Sequence, residues 1–227
     1  MLVKERKSMA GSGFTLVELL VVIAIVGVIM AGIYRVYYAQ QKSYLVQEQV
    51  AAMQQNLRAA MYYMERDIRM AGCDPNRNSG AAMVTANALS INFTMDINDD
   101  SGTGNPDGDV SDTNENITYS LSGTNLVRNG AGNIIAENID AIDFVYLDGS
   151  DPPNVLNPGG IDVPSINIPN IRSVEITLVA RTGHTDRGYS DTDIYQNQQG
   201  RAILPAQNDS FHRRRLTTYI HCRNLGL

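Results

Sequence analysis

The chain has 227 residues and a formal charge of −6, enough for one large domain or two small ones. That acidic balance excludes a general nucleic-acid binder, which carries a basic surface to neutralise phosphates. Asn, Asp, Gly and Ser crowd the middle of the chain and mark many turns and loops.

Residues 1–13 are short and polar, and Lys4, Arg6 and Lys7 outweigh Glu5. An apolar run then extends from Phe14 to Ile33, interrupted only by Thr15 and Glu18. About 20 apolar residues span a bilayer as a helix. Positive charges ahead of such a span stay in the cytoplasm, which sends the rest of the chain across the membrane. An ordinary secretory signal cut near Met30-Ala31-Gly32 is the alternative. Glu18 argues against it. A carboxylate at the bilayer centre costs about 2.5–3.5 kcal/mol on insertion scales, and a disposable signal has no use for one.

Gly13-Phe14-Thr15-Leu16-Val17-Glu18 resembles the class III signal of type IV prepilins. The resemblance implies that a membrane peptidase cuts between Gly13 and Phe14 and methylates the new amine of Phe14. Glu18, fifth in the mature chain, then pairs with the N-terminal amine of a neighbouring subunit. A charge that is costly in lipid becomes tolerable when a fixed opposite charge meets it. The implied layout is a leader at 1–13, a transmembrane or filament-core half of a helix at 14–38, an amphipathic half at 39–72, and a periplasmic β-rich head at 73–227.

From Tyr34 to Ala71 there is neither proline nor glycine. Val46, Val50, Met53, Leu57, Met61, Met64, Ile68 and Ala71 recur at spacings of three and four, which predicts one apolar helical stripe. Gly72 and Pro75 supply the stop. The methionines on the stripe read as core packing rather than as a soft metal site.

Beyond Pro75 the period changes to two. Alternating runs at Leu89–Met95, Ile117–Leu121, Ile142–Tyr146 and Val174–Ala180 predict strands, and Leu216–Cys222 the last one. Ser122-Gly123-Thr124-Asn125 joins the second run to Leu126-Val127-Arg128 as a hairpin. Residues 148–170, with five prolines, and 182–210 read as loops. The fold class is α+β: a long N-terminal helix packed on an antiparallel sheet head. The head resembles PilW-type minor pilins in Ile68–Gly72, Ile117-Thr118-Tyr119 with Leu126-Val127-Arg128, Val174–Arg181 and Cys222-Arg223-Asn224. GspJ-type pseudopilins of type II secretion share the outline.

No catalytic motif is present: no HExxH, GxSxG or phosphate loop. The chain therefore reads as a structural protein rather than an enzyme, and no catalytic residue is assigned. Asp96, Asn98 and Asp100 have the one-three-five spacing of a calcium loop, and Asp107 stands at the twelfth position. Ser101 replaces the glycine and no glutamate closes the loop, so calcium is a candidate cofactor on an imperfect pattern. Arg213-Arg214-Arg215 is a basic cluster and reads as a solvated strand edge, with nucleic acid or an acidic subunit as the other reading. Export places Cys73 and Cys222 in an oxidising compartment, where they are expected to form a disulfide.

The function expected is that of a minor pilin that helps start or cap a type IV pilus. Its partners would be other pilins, the prepilin peptidase and the inner-membrane assembly machinery. The alternatives are a GspJ-type pseudopilin, or a calcium-dependent or DNA-binding receptor at a pilus tip.

Overall fold

The computed structural model describes residues 13–101 and 104–226; the expected leader lies outside them except for Gly13. The chain divides into two units, residues 1–47 and 48–227. One helix, α1 (Leu16–Arg69), runs through the division. It starts where Thr15 caps it and ends as the absence of proline and the position of Gly72 predict. Its last turn tightens, with Met70 N donating to Asp67 O and Ala71 N to Ile68 O. Gly72 then turns the chain at φ +75°, and a Cβ there would meet Leu225 Cδ2 at 2.6 Å.

In the first unit every residue from Gly13 to Leu45 is exposed. The helix is long and apolar enough to cross a membrane.

In the second unit the predicted stripe is the core face. Met53, Leu57, Met61, Met64, Ile68 and Ala71 are all buried, and Val50 packs against them. The methionines therefore pack, as their spacing implies.

The head holds two antiparallel sheets where the alternating runs predicted one. The first is a meander of β1 (Met83–Ala86), β2 (Ser90–Thr94), β3 (Asn116–Ser122), β4 (Asn125–Arg128) and β5 (Ile134–Ala136), in that order. The second is β6 (Ile139–Leu147), β7 (Ser173–Arg181) and β10 (Arg213–His221), with β7 central. The chain changes sheets at Asn138, whose φ is +59°, so β6 pairs with β7 rather than with β5. The hairpin at Ser122–Asn125 forms as predicted, with Ser122 opposite Asn125 and Gly123 at φ +62°. Residues 148–170 are loop with two short 3₁₀ turns, Pro158–Gly160 and Ser165–Asn170. The stretch 182–210 is not all loop: β8 (Tyr195–Gln196) and β9 (Ala202–Leu204) pair there as a small ribbon. Both large sheets and the helix stripe share one core. Phe93, Tyr119, Phe144 and Tyr146 are its largest ring side chains.

Arg213 corrects the reading of the basic cluster. Its side chain is 1% exposed and meets three carboxylates: Nε on Asp140 at 2.7 Å, Nη1 on Asp191 at 2.9 Å, and both Nη on Asp209. A guanidinium is buried when its fork of donors is fully paired. Only Arg214 and Arg215 face solvent.

Candidate functional site

The N-terminal site begins with Gly13 and Phe14, both fully accessible; Phe14 is 89% exposed. Thr15 and Glu18 form a reciprocal cap. Thr15 N donates to Glu18 Oε2 at 2.8 Å, Thr15 Oγ1 donates to the same oxygen at 2.9 Å, and Glu18 N donates to Thr15 Oγ1 at 3.2 Å. This is a Ser/Thr-x-x-Glu capping box, which satisfies otherwise orphaned donors at the helix start. The glutamate thus has a local structural task as well as the charge the sequence singled out.

The second candidate region is the acidic segment between β2 and β3. Of the four expected calcium residues, the structure brings two together. One carboxylate oxygen each of Asp100, Asp107 and Asp112 lies within 4.8 Å of the others. A second triad, Asp109, Asp112 and Glu115, meets the same limit. Asn98 does not join them: its side-chain amide donates to Thr113 O at 2.9 Å, and its backbone N donates to Glu115 Oε1 at 2.9 Å. Asp96 is fully buried, and its Oδ2 accepts from Gly108 N at 3.2 Å. Burial, then the neighbouring Glu115, pushes its carboxyl above the usual range. Asp112 is pushed up by burial and then by Asp107 and Asp100. The one-three-five spacing therefore does not describe the geometry. The residues it missed are Asp109, Asp112 and Glu115. The run of acids continuing past Asp107 was the available signal, but a twelve-residue window stops short of it.

The expected disulfide is not formed. Cys73 and Cys222 are both free thiols. Cys222 sits in the core, its N bonded to Arg172 O at 2.9 Å, and burial pushes its thiol up to about 12. Cys73 is half-buried at the end of the helix, its N on Met70 O at 2.9 Å and its carbonyl accepting from Asp96 N at 2.7 Å. Cys222 belongs to the core cluster and Cys73 packs against that same cluster. Of the histidines, His212 stacks on Tyr189 with ring centroids 3.8 Å apart, and its Nε2 lies 3.4 Å from Asp186 Oδ2.

Residues 46–194 match the family described as prepilin peptidase-dependent protein B. The chain belongs to that family. Residues 9–34 also match the prokaryotic N-terminal methylation motif, which frames Gly13, Phe14 and Glu18. Among solved structures, a type IV-like pilin from Thermus thermophilus is similar, at 16% identity and a TM-score of 0.52 over 78% of this chain and 100% of that one. At that identity the likeness speaks for the fold: a long N-terminal helix followed by antiparallel sheets is a type IV pilin fold. No curated protein matches the chain. Membership of the family makes this a type IV pilin-like protein, and the site at its N-terminus is the one the methylation motif covers.

Proposed function

We propose that the chain is a minor pilin, a structural subunit that helps start or cap a type IV pilus. The observation that carries this reading is the first unit. Its residues from Gly13 to Leu45 are all exposed, and they are apolar almost without break to Ile33. An apolar surface of that extent needs a cover. Lipid covers it before assembly, and the helices of neighbouring subunits cover it afterwards. In this reading the leader is removed after Gly13 and Phe14 is methylated. Glu18 moves its carboxylate from Thr15 to the amine of a neighbouring subunit. Lys4, Arg6 and Lys7 hold the leader in the cytoplasm, so the head folds on the periplasmic side of the inner membrane.

Partners are then other pilins, the prepilin peptidase and the inner-membrane assembly machinery. Deleting the chain tests the role. Surface pili should fall in number and return with the wild-type copy. Unchanged pili with lost protein secretion would assign the chain to a type II secretion system instead.

A further inference from the structure

The acidic segment between β2 and β3 contains carboxylates that the pilin fold does not explain. Asp100, Asp107 and Asp112 each turn one oxygen into a space where the three lie within 4.8 Å of one another. Two oxygens bound to the same calcium, each at about 2.4 Å, are separated by at most about 4.8 Å. The triad therefore already meets the separation that a shared ion imposes. Asp109 and Glu115 meet the same limit with Asp112, so five carboxylates crowd the segment. Gathering like charges without a cation costs stability.

Two enclosed oxygens add to this, one of them, on Asp96, outside the triad. Asp112 Oδ2 is enclosed and has no hydrogen-bond partner. Asp96 is 0% exposed, and its Oδ1 also lacks a partner. The other oxygen of Asp96 accepts from Gly108 N, the amide between Asp107 and Asp109, so this carboxylate faces the same segment. A buried carboxylate oxygen without a donor is expensive, and a positive charge close by lowers the cost.

We infer that the segment binds one divalent cation, calcium, through Asp100, Asp107 and Asp112, with Asp96 and Glu115 as the buried carboxylates behind it. Calcium suits the site better than magnesium. It takes many carboxylate oxygens on a pliable loop, whereas magnesium demands a near-ideal octahedron and keeps most of its waters. The ion would fasten the segment to the end of the helix. Asp96 N donates to Cys73 O at 2.7 Å, and Gly72 N to Thr94 O at 2.9 Å, so the start of the segment is already tied there.

The test uses the full chain in detergent, stripped of metal with a chelator. Calcium chloride at about a hundredfold above its dissociation constant should raise Tm by about 5–10 °C. Calorimetric titration should find one ion per chain. Asp112→Asn and Asp100→Asn should lose the rise. Asp112→Asn should melt no lower than wild type without calcium, because it removes repulsion while keeping the shape of the side chain; this separates lost binding from failed folding. A calcium-independent Tm, an equal rise in both variants, or an equal rise with magnesium would overturn the inference.

Discussion

The hydroxyl of Tyr119 on β3 donates to the Asp67 carboxylate of α1 at 2.8 Å, in a buried contact between the helix and the first sheet. The same Asp67 oxygen accepts from Arg128 Nε on β4 at 2.9 Å, and Arg66 Nη2 reaches Oδ1 at 3.1 Å. Asp67 is 6% exposed, so its removal leaves the Tyr119 hydroxyl without its acceptor and the Arg128 guanidinium with Asn114 Oδ1 at 2.8 Å alone. Losing one partner of a buried pair costs about 3–5 kcal/mol, and the residual access of water to Arg128 puts this case near the lower end. Asp67→Ala should lower Tm of the full chain by about 6–12 °C. Arg66→Ala, at an exposed position, should change it by little. Equal effects of the two variants would contradict this account of the contact.

Arg213 predicts both a stability loss and an acid response. Replacing it by Ala leaves Asp191, 0% exposed, without its cation and Asp140, 9% exposed, with only Arg181 at 3.4 Å, which costs about 3–5 kcal/mol. Arg213 also holds the Asp209 carboxyl below its usual range, first through their hydrogen bonds. A carboxyl depressed in the folded state stabilises the fold above its unfolded pKa of about 4, and this stability is lost as pH falls through the folded value. Thermal melts should therefore fall from pH 4 downward in the wild type. The fall should be shallower in Arg213→Ala, which keeps only the smaller contributions of Phe211 N and Arg181. Parallel pH profiles would contradict the pairing.

Glu18 has two tasks that one substitution separates. Gln at the third position of a capping box can make the same bonds to Thr15. Glu18→Gln should therefore keep the helix start and the membrane insertion of the wild type. It removes only the charge, so the proposed pairing with a neighbour's amine disappears and recovery of the chain in sheared filaments should drop at least tenfold. Wild-type recovery of the variant would show that the cap, not the charge, is what the glutamate supplies.

Much of the helix and the strands was legible because their residues repeat with a period. Met53, Leu57, Met61, Met64 and Ile68 sit at helical spacing and are all buried. Val174, Ile176 and Leu178 alternate and form the middle of β7. What remained hidden depends on contacts far apart in the chain. The change of sheet turns on the single left-handed residue Asn138. The ribbon of Tyr195–Gln196 and Ala202–Leu204 has too few residues to show a period. The burial of Arg213 needs Asp140 and Asp191, neither of which is beside it in sequence. The acidic triad likewise joins Asp112 to Asp100 across a turn-rich segment that no fixed spacing describes.

The mass of the mature N-terminal peptide tests the central claim most directly. The chain recovered from membranes that contain a prepilin peptidase should begin at Phe14 and carry one methyl group on its amine, since Gly13 and Phe14 stand accessible ahead of the Thr15–Glu18 cap. A chain that begins near Ile33, as an ordinary signal would leave it, or one that keeps residues 1–13 in the presence of the peptidase, would contradict the account.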